Sequence, residues 1–392
     1  MKIIETADDK IFRGEVRDWL NKNVPREPRP PEGAEMREFD QNWQRIQYEG
    51  GWAGISWPAE YGGRGLSLIH QMIWHEEYSR AGAPSSANMF VALSHAGPTL
   101  IIQGTEEQKS YHLPRILKGE VTWCQGFSEP GAGSDLASLR TSAAIDGDEL
   151  VINGSKIWTS YGLNADWQEL LVRTDPNVPK HKGITWVICD MKSPGIDVRP
   201  IRAMSGFTHF CQVFYDDVRI PLSNVVGGLN NGWKVAMTTL GFERGTASVA
   251  HQIELSRTVE RLVDIAKIIE APGGNRRAIQ DDAIAAELAT LRAEVAALRS
   301  MTALTISRNM RDPVPGPEGN LVALHFGELI RRVNDFALCL LGPRGLERTN
   351  EFGHWPIEYL ECYKWAIGGG TTEIRRNVIG ERLLGLPKGA KA

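Results

Sequence analysis

The chain has 392 residues, a formal net charge of −4 and a balanced composition of 42% hydrophobic and 23% charged residues. This length allows a large core and predicts two or three structural units. The slightly acidic charge gives no basic face for a nucleic acid, and no apolar run approaches the roughly 18 residues of a membrane span. The polar start, Met1 to Asp9, lacks the apolar region of a signal peptide.

The cysteine pattern predicts reduced thiols. Five cysteines are scattered along the chain without a CxxC pair, at Cys124, Cys189, Cys211, Cys339 and Cys362. We expect them to be mostly buried and the protein to be cytoplasmic. The histidines and cysteines never fall at ligand spacing, so we predict no metal site.

The first segment, residues 1–120, is predicted to be an α-helical domain. Apolar residues recur at helical spacing near its start. They are Phe12, Val16, Trp19 and Leu20, and a second helical stretch contains Ile69, Ile73, Glu76 and Glu77. Residues 57–65 are rich in Gly and Pro and predict a loop.

The middle segment, residues 121–228, is predicted to be a β domain. Short runs rich in Val, Ile, Tyr and Trp alternate with turn residues, which is typical of a small antiparallel barrel or sandwich. We expect strands at 121–127, 183–191, 198–204 and 211–220. Asn153-Gly154 lies between two further apolar runs, 150–152 and 156–158, and predicts a tight hairpin turn.

The last segment, residues 229–392, is predicted to be helical again. Apolar residues separated by four and three positions indicate a helix-bundle seam. They are Ile284, Leu288, Leu291, Val295 and Leu298. The order helix, then strand, then helix places the chain in the α+β class.

A glycine-rich segment from Ser128 to Asp135 is the strongest candidate for ligand binding. It follows the predicted strand 121–127 and reads SEPGAGSD. Glycine lets backbone N–H groups approach an anionic ligand closely, because no Cβ stands in the way. The segment is not a GxGxxG fingerprint within a βαβ unit. On these residues alone an anion-binding loop and an ordinary β-turn are equally supported.

Four motifs in the same order resemble those of the FAD-dependent acyl-CoA dehydrogenases. SEPGAGSD is similar to their flavin-binding signature, and residues 104–120 resemble the stretch that precedes it. Residues 153–160 (NGSKIWTS) resemble the second flavin-contacting strand, and residues 370–377 (GTTEIRRN) the C-terminal motif. The resemblance spans nearly the whole chain. It implies an N-terminal helical domain, a central β-barrel or sandwich and a C-terminal four-helix bundle, with FAD as cofactor.

The resemblance also implies roles for individual residues. Gln125, Phe127 and Ser128 would line the flavin ring, and Gly133 and Ser134 would lie near the pyrophosphate. Trp158 would pack on the isoalloxazine, although a buried strand aromatic is the commoner role of such a residue. Ser160 would hydrogen-bond near flavin N5. Thr371 and Glu373 would touch the flavin of their own or a neighbouring subunit.

The implied reaction is α,β-dehydrogenation of an acyl-CoA thioester, which needs a base for the α-proton and a flavin to accept hydride. A buried carboxylate is the expected base. Many relatives carry a Glu at the position of Gly369, whose backbone N–H could still donate to the thioester carbonyl. Some branches place the base after the β domain, where Glu243 stands. We therefore expect Glu243 to be the base and Arg244 to position the substrate.

Two further departures from the family pattern concern subunit contacts. Residues 271–275 lack the Arg and Phe that usually reach a partner subunit's FAD, and residues 339–345 lack the usual Gln and Gly-Gly pair. Pairing with a different, homologous subunit and homo-oligomerisation are both compatible with these changes. An electron-transferring flavoprotein is the expected electron acceptor.

The alternatives are a non-catalytic or half-site subunit, because Gly369 cannot be a base, and an acyl-CoA oxidase, which is commonly longer. Glu243 occurs as the base in branches that handle bulky acyl groups. The expected substrate is a bulky acyl-CoA, and ring-bearing acyl groups are among the candidates.

Overall fold

The computed structural model describes residues 5–85, 87–243, 247–309 and 316–389. Helices occupy both ends of the chain and strands the middle. The helices are α1 (Ala7–Asn23), α2 (Gly33–Glu49), α3 (Leu68–Arg80), α4 (Ala87–Val91), α5 (Gly97–Gln103), α6 (Glu106–Leu117), α7 (Gly232–Glu243), α8 (Ala247–Ile268), α9 (Asp282–Asn309), α10 (Gly319–Leu341), α11 (Trp355–Cys362) and α12 (Thr372–Val378). A π-helical turn, Ala92–Ala96, joins α4 to α5.

The strands form one mixed sheet between α6 and α7. They are β1 (Trp123–Gly126), β2 (Ser142–Asp146), β3 (Glu149–Ser160), β4 (Trp167–Arg173), β5 (Ile184–Asp190), β6 (Ile196–Ile201), β7 (Phe210–Pro221) and β8 (Val225–Val226). Their order is β6-β7-β3-β2-β4-β5-β8, and β1 pairs with β4 in parallel. The predicted α+β class with a central β domain is confirmed.

The predicted hairpin at Asn153-Gly154 is wrong. β3 runs through both residues, and its pairing with β7 shifts register there, so the glycine marks a bulge. A Cβ on Gly154 would lie 2.7 Å from Thr141 Cα, which explains the glycine as a close backbone approach. The turn that does reverse the chain joins β2 to β3 and contains Gly147, whose φ is +64°.

One compact unit comprises residues 21–67 and 82–243 and contains the sheet. β1 and β4 are buried on both faces. Trp123 and Leu171 pack into a core shared with α4, α5, α6 and α7, whereas Cys124 and Leu170 face a second core on the other side. Burial on both faces explains why apolar residues such as Leu170, Leu171 and Val172 follow one another in β4 without alternation.

The other compact unit comprises residues 1–20, 68–81 and 244–392. Its core is built by α8, α9 and α10, and the predicted seam of α9 is confirmed: Leu288, Leu291, Val295 and Leu298 are buried, and Ile284 packs against them. Helix α3 also contacts α8. The two compact units group residues by contact. The division predicted from the sequence, into 1–120, 121–228 and 229–392, is of a different kind and stays a prediction.

Candidate functional site

The loop after β1 is closed by its own backbone. Glu129 and Ala132 exchange two backbone hydrogen bonds of 3.0 Å, which makes a tight turn around Pro130 and Gly131. Ser128 O accepts from the backbone N–H of Ile157 at 2.9 Å, so the loop is tied to β3. The segment is therefore held at both its start and its turn.

The buried carboxylate of Glu129 holds this loop in place through hydrogen bonds. Glu129 accepts hydrogen bonds from the backbone N–H of Arg140 at 2.6 Å and of Thr141 at 2.8 Å. It also accepts from Lys156 Nζ at 2.8 Å, and Lys156 donates to Phe127 O at 3.1 Å. The ion pair between Lys156 and Glu129 thus joins the end of β1, the glycine-rich loop and β3.

Both partners of this pair are charged at neutral pH. Burial lowers the pKa of Lys156 to about 8, although the Glu129 carboxylate opposes the shift. Burial by itself would raise the pKa of Glu129, but Lys156 and two backbone N–H groups hold that pKa below its ordinary value. The lowered pKa of Lys156 disfavours its charged form, whereas the lowered pKa of Glu129 favours the carboxylate. A Lys156 pKa near 8 still leaves the amine mostly protonated at pH 7.

The outer half of the loop is open to solvent. Gly131, Gly133 and Ser134 are exposed, and a Cβ added at Gly131 or Gly133 would meet no atom within 4 Å. Neither glycine has a positive φ. Packing and backbone strain therefore do not require these glycines, whereas a ligand close to the backbone would. Asp135, the last residue of the loop, forms an exposed ion pair with Lys180.

Trp158 stands on β3 in an unusual conformation. Its φ is +61°, in the left-handed region that a bulky residue rarely occupies, and 58% of its side chain is exposed. The register of β3 against β7 shifts between Lys156 and Thr159, so a bulge turns this ring outward. It contacts Phe210 edge-on with centroids 6.0 Å apart. Such a strained, exposed aromatic is typical of a binding site.

The other predicted residues of this unit differ in what they can offer. Ser160 is half-buried and pairs with Phe210 at the end of β3. Phe127 is buried in the core shared with the helices, so only its backbone is available to a ligand. Gln125 is half-buried and hydrogen-bonds to Glu169. The seven flavin residues predicted from the sequence between Gln125 and Ser160 all belong to this unit.

The predicted base lies at the end of α7. Glu243 is the last residue of that helix, and its side chain is outside the described residues. Arg244 also lies outside the described residues.

The remaining predicted residues belong to the other unit, next to α12. Gly369 has a φ of +66°, and Gly370 has one of +110°. Thr371 is the N-cap of α12 and accepts from the backbone N–H of Ile374 at 3.2 Å. The pKa of Glu373 is lowered, chiefly by its own backbone N–H and then by the hydroxyls of Thr372 and Thr371.

A buried arginine fixes the loop that carries Gly369. Arg375 donates to Gly368 O at 2.8 Å, to Trp365 O at 3.1 Å and to Ala323 O at 3.2 Å. Three carbonyl groups are thereby held by one guanidinium.

Comparison with known proteins agrees with this arrangement. Models of the N-terminal, middle and C-terminal domains of the acyl-CoA dehydrogenases match residues 6–120, 124–218 and 230–384. The chain belongs to the acyl-CoA dehydrogenase family. It is 38% identical to acyl-CoA dehydrogenase IpdE1 of Mycobacterium tuberculosis, over 98% of this chain and 99% of that protein.

Solved structures extend the comparison. The steroid ACAD described as Tcur3481-Tcur3483 superposes with a TM-score of 0.87 at 32% identity, over 99% of this chain and 100% of that chain. The ChsE4-ChsE5 complex from Mycobacterium tuberculosis gives a TM-score of 0.85 at 32% identity, with the same two coverages. This acyl-CoA dehydrogenase is therefore an oxidoreductase with the fold of the family.

Sequence reasoning missed three side chains of this acyl-CoA dehydrogenase that support the loop and Gln125. Lys156 and Glu169 are fully buried charged residues on strands, and His95 is buried in the π-helical turn. A signal existed in the sequence, because Glu169 directly precedes the apolar run Leu170 to Val172 of the same strand. No His, Cys, Asp and Glu cluster suited to a metal occurs in the described ranges. Among the same residues, none of the helices combines the length and apolar character needed to cross a membrane.

Proposed function

We propose that this chain binds FAD and catalyses α,β-dehydrogenation of an acyl-CoA thioester. The observation that carries the proposal is Trp158, a large aromatic held exposed at φ +61° on the strand tied to the glycine loop. The open backbone at Gly131 and Gly133 fits an anionic group, as the pyrophosphate of FAD requires. FAD, when bound, supplies the hydride acceptor of the reaction.

In this proposal the chain's own residues divide the binding task. The backbone at Gly133 and Ser134 holds the pyrophosphate, and Trp158 covers the ring. Gln125, Ser128, Ser160 and the backbone of Phe127 hold the ring by polar contacts. Thr371 and Glu373 contribute to a flavin in the same or a neighbouring subunit.

Glu243 removes the α-proton in this proposal, and Arg244 positions the thioester. The support is chemical: proton removal beside a thioester needs a base, and the position of Gly369 has no side chain to provide one. The backbone N–H of Gly369 donates to the thioester carbonyl, where charge develops in the transition state.

Anaerobic mixing of the FAD-loaded protein with acyl-CoA tests the base. Glu243→Gln is expected to slow flavin reduction by at least about a hundredfold while FAD binding stays unchanged. Glu260→Gln, an exposed helix glutamate paired with Arg292, is the matched control and should reduce at the wild-type rate. Wild-type reduction in Glu243→Gln would contradict the assignment. Full activity of a complex with a partner subunit despite Glu243→Gln would identify this chain as the non-catalytic subunit.

The proposed substrate is a bulky acyl-CoA that carries a ring system. The support is similarity to a protein described as a steroid ACAD. A dye-reduction panel that compares straight-chain, branched and steroid-side-chain acyl-CoAs tests the substrate class. Faster turnover of straight-chain thioesters would contradict it.

The proposed assembly is a hetero-oligomer with a homologous subunit, a cytoplasmic complex that passes electrons to an electron-transferring flavoprotein. Support comes from similarity to a structure described as the ChsE4-ChsE5 complex, and from the altered residues 271–275 and 339–345. Native mass spectrometry of the chain expressed alone tests this assembly. A flavin-saturated, active homo-oligomer would contradict it, and rapid peroxide formation in air would favour an oxidase.

A further inference from the structure

A buried polar network lies behind the predicted flavin residue Gln125. The parallel pairing of β1 and β4 sets Gln125 directly beside Glu169. Alternation along each strand puts both side chains on the face that carries Trp123, Phe127 and Leu171, which pack against the helices of the same unit. An acidic residue on such a face is costly unless hydrogen bonds satisfy it.

The three members of the network are within hydrogen-bond distance of one another. Gln125 Nε2 lies 2.8 Å from Glu169 Oε1, and His95 Nδ1 lies 3.2 Å from the same oxygen. Gln125 Nε2 and His95 Nδ1 are 3.2 Å apart. Glu169 is 0% and His95 4% exposed, whereas Gln125 is half-buried.

This geometry fixes the orientation of the Gln125 amide. The amide nitrogen Nε2 donates to Glu169 Oε1, so the N–H₂ group is turned toward the carboxyl group and the amide oxygen away from it. The amide oxygen is then the polar atom left for another partner, and no hydrogen bond to it is present among residues 5–85, 87–243, 247–309 and 316–389. His95 comes from the π-helical turn Ala92–Ala96, an irregularity that is frequent at functional sites.

We propose that Glu169 and His95 are positioning residues that hold Gln125 so that its amide oxygen accepts a hydrogen bond from the flavin ring. This inference rests on the proposed FAD binding by this chain. Glu169 and His95 act only through Gln125. At these buried positions a leucine or phenylalanine would make apolar contacts, and the polar network takes the place of those contacts.

FAD affinity and the visible flavin spectrum of the full-length chain test the proposal. Glu169→Gln keeps the shape of the side chain but lets the Gln125 amide turn over, and Gln125→Met removes the amide. Each variant is expected to weaken FAD binding about three- to tenfold, the value of one oriented hydrogen bond, and to shift the visible absorption bands. His95→Phe provides a second route if Glu169→Gln fails to fold, and it should weaken binding in the same direction.

A double variant separates positioning from a general effect on the core. Because Glu169 acts through Gln125, adding Glu169→Gln to Gln125→Met should weaken FAD binding no further. Asp40→Asn is the matched control: Asp40 is an equally buried carboxylate of the same unit that pairs with Arg29. This control should lower the melting temperature of the FAD-free protein and leave FAD affinity and spectrum unchanged.

The outcomes are distinct. Wild-type affinity and spectrum in Glu169→Gln, or an undiminished effect of this change in the Gln125→Met background, would overturn the network while FAD binding stands. A wild-type chain that binds no FAD, alone or in its complex, would overturn both this inference and the proposed function.

Discussion

The ion pair beneath the glycine loop makes a prediction whose size follows from its geometry. Glu129 Oε2 accepts from the backbone N–H of Arg140, and Oε1 accepts from that of Thr141 and from Lys156. In Glu129→Gln one oxygen becomes an N–H₂ group. If that group replaces Oε2, the new N–H₂ group faces the backbone N–H of Arg140, and two donors oppose each other. The hydrogen bonds from Thr141 and Lys156 then go to a neutral amide oxygen instead of a carboxylate oxygen.

The expected loss is about 3–5 kcal/mol in the free energy of local unfolding. The two backbone N–H groups donate to a charged carboxylate, and such hydrogen bonds contribute roughly 1.5–3 kcal/mol each. Lys156 adds little, because Glu129 raises its pKa, which is about 8 in the intact pair, and without Glu129 burial favours the neutral amine.

Hydrogen exchange at the amides of Arg140 and Thr141 measures this loss directly, and urea denaturation measures its global part. FAD affinity should fall with it, since the loop is no longer held. Asp135→Asn, in the same loop, is the control: its pair with Lys180 is exposed, so we expect a change within about 1 kcal/mol. Unchanged protection of both amides in Glu129→Gln would refute the reasoning.

Three further predictions concern other parts of the chain. Trp158→Ala should change the free energy of unfolding by less than about 1 kcal/mol, because the ring is exposed, yet raise the FAD dissociation constant about tenfold in a fluorescence titration. Burial opposes ionisation of Glu77, but Arg17, Arg13 and Arg80 lower its pKa from 4.5 to about 2. Its stabilisation is thus complete above pH 4.5 and lost toward pH 2, and Glu77→Gln should flatten urea-derived stability in that window by up to about 3 kcal/mol. Arg375→Gln should destabilise its unit by about 2–4 kcal/mol and speed hydrogen exchange in residues 365–370.

The long helices and the strand zone could be predicted because their patterns are local and repeated. The seam of α9 and the strands near β5 and β7 follow from apolar spacing alone. Asn153-Gly154 was misread for a physical reason: glycine serves both tight turns and close backbone approaches, and only the neighbouring strand shows which applies. The backbone of Thr141, thirteen positions before Gly154, leaves no room for a Cβ at Gly154 and so requires the glycine. Spacing along one strand does not show this contact.

The sequence predicts only those site residues that lie in contiguous motifs, such as the glycine loop and Trp158. The contact of Gln125 with His95 and Glu169 joins three distant parts of the chain, and it depends on the β1–β4 register, which no local pattern indicates. A charged residue inside an apolar strand was the available signal, since such residues are rarely buried without a partner.

The interleaving of the two compact units has a consequence for synthesis. Helix α3 leaves the ribosome about 180 residues before α8, the helix of its own unit that it packs against. At roughly 5–20 residues per second this delay is about 10–40 seconds. During that time the side of α3 that packs against α8 in the folded protein has no α8 beside it. We therefore expect the nascent chain to expose this side of α3 to chaperones until α8 has been synthesised.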